Sequence, residues 1–551
     1  MPYLSGFTLR LFAELLDSPL RVLLLPKLLR DGGIAWLQEQ YFEESPIFQP
    51  LHFVNDPGQV TAGVLETELP APPVTPQPGF WFPTVHDYAQ AYRKGSSTPL
   101  DVAERVLRAI EAGHTADPPL LAIIKVNRED VLRQADAATQ RIKRGEALSV
   151  FDGVPVAVKD EMDMVPYTTG VGTAFLGKTP AMEDATVVAR MRATGALLIG
   201  KANMHEIGIG VTGQNPHHGT PRNPYNPAHY TGGSSSGSAA AVSAGLCPVA
   251  LGADGGGSIR IPSAFCGIVG LKATYGRVSE YGAAPLDWSV AHIGPLAATA
   301  TDAALAYRVI AGPDLRDPVS LHQPAPTLLG WDDLDLTGLI LGVYTPWFQH
   351  AAAEMVSTCE ALLRAFADMG ATVREVTIPD LEAARVAHVI TIVSEMTQAM
   401  ARYHAAHRRE HSLEVRINLA LARSFTARDY VQAQRVRARM MAHFDRVLRV
   451  VDAIITPTTG IPAPRIPATA LPAGDSDLTT LTEIMRFATP ANFTGLPAIS
   501  FPAGYTTAGL PVGMQAIGRP WQEATLLRLA LAAEQAVERR APQVFYDVLK
   551  G

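Results

Sequence analysis

From residue 154 onward, short apolar runs alternate with amphipathic helical patterns, and that alternation limits the fold more than any other feature. The runs are VPVAV (154–158), ALLIG (196–200), GLILGVY (338–344), ATVREVTI (371–378) and VDAIITP (451–457). Helical periods fill 99–112, 128–147, 184–194 and 352–369. The first has Thr98 as N-cap, Pro99 in the first turn and Asp101 at the positive end of the dipole, and Gly195 closes the third. Such alternation predicts an α/β fold, a parallel or mixed β-sheet with helices on both faces. The chain has 551 residues, of which 47% are apolar and 18% charged, so it can bury a large core and is not disordered. A net charge of −7 argues against nucleic acid as a partner. The three cysteines, Cys247, Cys266 and Cys359, are too few and too scattered for a disulfide framework or a zinc site, which places the chain in a reducing, cytoplasmic compartment.

The N-terminus is separate in character. Residues 1–68 read as a helical extension, residues 69–87 as a proline-rich linker, and residues 88–551 as one large domain. Leu4, Phe7, Leu11 and Leu15 recur at helical spacing, and Pro19 and Pro26 are expected to split the segment into short pieces. Arg10, Glu14 and Asp17 interrupt any secretory core. Two readings stay open: a helix packed on the body or on a second subunit, or a helix lying in a membrane surface. The second wants a basic polar face, and residues 1–31 hold four basic and three acidic side chains. Residues 402–449 carry 11 Arg and 4 acidic residues and read as solvated faces of long helices.

Several motifs satisfy an expression without its context. GTAFLGKT (172–179) has no strand before it, and Pro180 follows where a P-loop needs a helix. GIGVTG (208–213) lacks the acidic residue that should hold a ribose about 20 positions later. HEIGI (205–209) lacks the second histidine of a zincin, and His217 and His218 read as turn residues, so no metal is expected.

From Ile207 to Ala253 there is no Asp or Glu, while Gly, Ser, Asn and Pro abound. This stretch predicts buried turns that display backbone donors. It ends in DGGGSIR, where Gly255, Gly256 and Gly257 precede Ser258. Without Cβ atoms, these residues let backbone N–H groups converge, as in an oxyanion hole to which the nucleophile's own N–H contributes. Serine needs a base. Lys159 ends an apolar strand, where desolvation favours the neutral amine that accepts a proton. Ser234 is placed to hand a proton between the two. Asp160, Glu161 and Asp163 favour the charged amine and oppose the base role, and the two are reconciled if the strand buries the amine while all three point elsewhere.

The segments GVPVAVKD, GGSSSG and DGGGSIR resemble the lysine, bridging-serine and nucleophile motifs of the amidase signature family. Their spacing fits as well: 75 residues from Lys159 to Ser234 and 24 from Ser234 to Ser258. GKANMHEIG, RNPYNPAHYTGG and PANFTGLPAISFPAGY extend the resemblance over roughly 85–550, and the N-terminal LSGFTLRLFAELLDSPL is similar to the plant-type fatty acid amide hydrolases within the family. The resemblance implies a serine hydrolase that cleaves hydrophobic N-acyl amides through an acyl-enzyme. Ser258 would be the nucleophile, Ser234 the bridging serine in a cis peptide, and Lys159 the base. The backbone of Gly255, Gly256, Gly257 and Ser258, with Gly208 and Ile209, would bind the oxyanion and substrate. Ser235, Asp254 and Arg260 would hold the loop. It also implies no metal or organic cofactor, a homodimer, peripheral membrane contact, and an acyl channel for which Phe7, Leu11, Leu15, Met485 and Phe487 are the candidates. Alternatives within the family are a general or aryl amidase, esterase or carbamate hydrolase, and a glutamine-dependent amidotransferase subunit.

Overall fold

The computed structural model describes residues 3–52, 78–471 and 473–550. Eleven strands form one central sheet: β1 (Ile123–Lys125), β2 (Pro155–Lys159), β3 (Leu197–Ala202), β4 (Val249–Ala253), β5 (Val269–Lys272), β6 (Ile293–Ala297), β7 (Ile340–Val343), β8 (Thr372–Glu375), β9 (Ala453–Pro457), β10 (Ala498–Tyr505) and β11 (Pro511–Gly518). Their order across the sheet is β8-β7-β9-β11-β10-β5-β6-β4-β2-β3-β1. The β3–β2–β4 and β8–β7–β9 neighbours run parallel, and the pairs between β9 and β4 are antiparallel, so the sheet is mixed. Every residue of β2, β3, β4, β5 and β6 is buried, and of these β2 and β3 correspond to the apolar runs 154–158 and 196–200.

The acid-free stretch lies at the centre of the molecule. Its second half, from His229 on, is buried throughout, and up to Tyr275 only Gly255 is half-buried. The helix Ser236–Ser243 carries only small side chains and one valine, and a Cβ on Gly237 would sit 2.2 Å from the Ala122 carbonyl oxygen. Small residues let this helix lie directly against neighbouring backbone.

The helices Gly6–Asp17, Arg21–Asp31 and Ile34–Glu39 follow a short strand, Leu4–Ser5, that pairs with Asp475–Ser476. Pro19 separates the first two helices as expected, but Pro26 lies inside the second. The carbonyl it leaves without a donor belongs to Val22, which faces solvent. The buried face is Leu9, Ala13 and Leu16, packed on Ile417 and Ala420 of the helix Leu413–Ala422. Phe7 and Leu11 are exposed.

The arginines of 402–449 are not all solvated. Arg416 and Arg437 are buried, Arg416 pairing with Glu14 and Asp17 while Arg437 donates to the Phe48 carbonyl. Arg439 pairs with Glu44. Together they clamp the N-terminal segment to the body.

Of the proline-rich stretch 69–87, residues 69–77 lie outside the described residues, as do 53–68 of the N-terminal extension. The remainder is part of the body. Phe80 and Phe82 pack edge-on against Phe545, and the helix Val85–Lys94 starts within the stretch, capped by Thr84 and Asp87.

Candidate active site

Strand β2 delivers Lys159 to the end of the sheet with its side chain buried. Its Nζ donates to Ser234 Oγ at 2.9 Å and to the Ala253 carbonyl at 3.3 Å. Ser234 follows a cis Gly233–Ser234 peptide bond. Asp160 turns away to Lys125 and Lys201, and Asp163 accepts from Thr169. Glu161 does not turn away: its Oε2 is 2.7 Å from Lys159 Nζ. The expectation that all three acids point elsewhere is therefore corrected for Glu161, whose longer side chain reaches back past Asp160.

Ser258 lies in the turn that joins β4 to the short helix Arg260–Phe265. Asp254 organises this turn, accepting from the backbone N–H of Gly257 at 2.6 Å, of Ile259 at 3.1 Å and of Arg260 at 3.4 Å. Its other partners are the Arg260 guanidinium at 3.0 Å and Asn492 Nδ2 at 2.9 Å. Burial would raise the Asp254 carboxyl, but Arg260 and then Lys272 and Asn492 hold it well below the ordinary range. Ser235 ties the same turn down, its N–H donating to the Ser258 carbonyl at 3.2 Å and its Oγ to Ala253 at 3.1 Å. Gly257 has φ +119°, and a Cβ there would meet Ile261 and Ala488 within 2.7 Å.

This geometry narrows the expected donor set. The Gly257 N–H is spent on Asp254, and those of Gly208 and Ile209 on the carbonyls of His205 and Glu206. The N–H groups of Gly255, Gly256 and Ser258 have no partner among the described residues. Gly208 and Ile209 still line the cavity that reaches Ser258.

That cavity holds about 150 Å³ and opens on Gly256 and Ser258. Ile392, Val393, Met396, Leu481 and Met485 line it, with Leu28 and Ile34 from the N-terminal helices. Phe7, Leu11 and Leu15 do not reach the cavity, because their helix packs through Leu9, Ala13 and Leu16 and turns the other stripe outward. Phe487 is also absent from the lining. It is fully buried in a separate core beside Trp347, at 5.5 Å between ring centroids.

A family model described as Amidase matches residues 101–527. The chain belongs to the amidase family and is an amide-cleaving hydrolase. It is 41% identical to a fatty acid amide hydrolase of Oryza sativa subsp. indica, with all of this chain and 95% of the relative aligned. It is equally close, at 41%, to a fatty acid amide hydrolase of Arabidopsis thaliana over the same shares. Among solved structures, native peptide amidase from Stenotrophomonas maltophilia superposes with a TM-score of 0.73 at 28% identity, covering 83% of this chain and 98% of that one.

Sequence reasoning about this amidase missed His388, Asn492 and Gln515. The His388 ring, 2.8 Å from the Gly255 carbonyl through Nε2, lies across the nucleophile turn. Burial pulls its pKa down to about 4, so the neutral ring donates there. Gln515 accepts from Arg260 at 2.6 Å. Asn492 lies in the PANFTG segment of the resemblance, but its role, like that of Gln515, depends on β11 and the helix Thr489–Phe493 meeting the turn.

The histidines set aside as metal ligands have another use. Buried Glu206 accepts from His411 Nδ1 at 2.7 Å and lies 3.1 Å from His217 Nε2, while His205 lies 3.2 Å from Glu414 at the cavity wall. These contacts tie the Gly208 loop to the segment that covers the cavity. Among the described residues no cluster is arranged to hold a metal ion.

Proposed function

We propose that this amidase hydrolyses hydrophobic N-acyl amides through an acyl-enzyme on Ser258. The observation that carries the reading is the apolar cavity that ends on Ser258 and Gly256. The plant relatives, named fatty acid amide hydrolases, support it. Ser258 Oγ attacks the carbonyl carbon. Its proton passes to Ser234 while the Ser234 proton passes to Lys159 Nζ, and the unspent N–H groups of Gly255, Gly256 and Ser258 receive the oxyanion. The same relay then returns a proton to the nitrogen as the C–N bond breaks, and water releases the acid by the reverse route. The exposed side chains of Phe7, Leu11, Leu20, Val22 and Leu23 favour peripheral contact with an apolar phase near the cavity's N-terminal wall.

The test is labelling with a fluorophosphonate, followed by mass spectrometry and a panel of acyl amides with the Ser258→Ala variant. The adduct is expected on Ser258, and the variant is expected to lose labelling and hydrolysis while staying folded. An adduct on Ser234, or hydrolysis that survives in Ser258→Ala, overturns the assignment.

A further inference from the structure

A second cavity, of about 240 Å³, lies behind the Lys159–Glu161 pair and opens beside Trp288. It does not include Ser258, and its lining carries the carboxylates of Glu161, Glu280 and Asp287. Ala253, whose carbonyl accepts from Lys159, forms part of the wall. Asp287 is 5% exposed, and among the described residues its carboxylate has no hydrogen-bond or ion-pair partner. It is pressed so close to the nucleophile turn that a Cβ on Gly255 would sit 1.9 Å from its Oδ2. A buried carboxylate without a partner is costly.

The cations at hand do not answer these charges. Lys159, 2.7 Å from Glu161 Oε2, is paired with Glu161. Arg316, at the rim, pairs with Asp314 and Glu183 and stacks on Tyr281. Asp317, also at the rim, accepts from the Glu280 and Val319 backbone. Burial, then repulsion from Glu161, pushes the Asp287 carboxyl well above its ordinary value, and burial with Asp287 and Asp317 does the same for Glu280. A ligand that replaces those protons carries positive charge. No group of three His, Cys, Asp or Glu among the described residues is arranged for a metal ion, and the space exceeds that of a bare ion. Tyr275 and Trp288 add aromatic surface suited to an organic cation. An ammonium brings N–H donors that carboxylates accept.

We propose that this cavity binds a small primary ammonium ion, held by Asp287 and Glu280, with Glu161 shared between the ligand and Lys159. Amide hydrolysis releases amines of this class; that link rests on the function proposed above, whereas the binding itself does not.

Isothermal titration of the full chain with ethylammonium chloride, at ionic strength held constant with sodium chloride, tests the site. Saturable binding at one ion per chain is expected. Asp287→Asn and Glu280→Gln are each expected to weaken it about tenfold or more, the loss of a charge-assisted hydrogen bond. Prior fluorophosphonate labelling is expected to leave it unchanged. Absence of saturable binding, equal heats from sodium chloride alone, or undiminished binding in the folded Glu280→Gln chain overturns the site. Loss of binding on labelling places the ion in the acyl cavity and overturns it too. Hydrolysis that persists in Ser258→Ala while ethylammonium still binds overturns only the catalytic reading.

Discussion

Asp254 and Arg260 form an ion pair, 3.0 Å from Oδ2 to Nε, with both side chains fully buried, and Ser258 sits on the turn between them. The pair fixes the turn because Asp254 also takes the N–H of Gly257 and Ile259, while Arg260 reaches Gln515 and the Ala488 carbonyl. A buried pair of this kind is weak evidence for net stability, but removing one member is expensive because the other charge remains. Asp254→Ala is therefore expected to cost about 3–5 kcal/mol in chemical unfolding. It should also abolish fluorophosphonate labelling at Ser258. The folded Asp254 carboxyl titrates below its unfolded value of about 3.9, so its contribution is intact above that pH and fades only in stronger acid. A variant of wild-type stability would show that the pair does not hold the turn.

His388 gives a pH prediction of opposite origin. The folded ring stays neutral down to about pH 4, whereas the unfolded chain takes up a proton near pH 6.5. Between those values the unfolded state binds more protons, so stability falls as the pH drops. The loss approaches about 3 kcal/mol by pH 4. His388→Phe removes this contribution while adding a constant packing change. Urea unfolding at pH 7 and pH 4.5 is expected to show wild type losing about 2–3 kcal/mol more than the variant on acidification. Equal losses would place a protonated ring in the native state.

The acyl cavity predicts chain-length selectivity. Burying a methylene contributes about 0.8 kcal/mol. Half of that over four methylenes still raises kcat/KM more than about tenfold. Longer acyl amides are expected to exceed acetyl amides in a hydrolysis series from two to twelve carbons. Leu481→Trp is expected to shorten the preferred chain, because Leu481 lines the cavity. Phe7→Ser is expected to leave the preference unchanged, because Phe7 faces outward. A flat series would leave a general amidase.

The sheet was legible because buried strands such as 155–159 have no polar face to obscure them. Lys159 and Ser234 stood out because GVPVAVKD and GGSSSG are distinctive local settings, and the structure puts Lys159 Nζ 2.9 Å from Ser234 Oγ. The N-terminal helix was not legible, since it offers two apolar stripes and only the distant Ile417 and Ala420 decide which is buried. Arg416 and Arg437 looked solvated for a similar reason: their partners lie hundreds of residues away. Glu161 and Asp163 both lie close to Lys159 in sequence, and only the course of the chain after β2 aims the first at Lys159 and the second at Thr169.

Lys159 can be tested by its leaving-group dependence. Its Nζ is 2.9 Å from Ser234 Oγ, the distance needed to pass a proton either way. An amine leaves poorly unless its nitrogen is protonated as the C–N bond breaks, whereas an ester's alkoxide departs more readily. Lys159→Ala removes both the base that activates Ser258 and the acid that serves the leaving group. Ester hydrolysis loses mainly the first and amide hydrolysis loses both, so the amide rate is expected to fall further, by a factor of about 10²–10⁴ if general acid catalysis contributes its usual share. Loss of the Lys159 amine also leaves buried Glu161 without its partner. Lys159→Met removes the amine but keeps a side chain of similar length, so a similar split in both variants assigns it to proton transfer rather than to the shape of the side chain. Matched amide and ester substrates with the same acyl group, assayed side by side, make the measurement. Equal losses for both substrates would make Lys159 a structural partner of Glu161 and leave the proton transfer to another group.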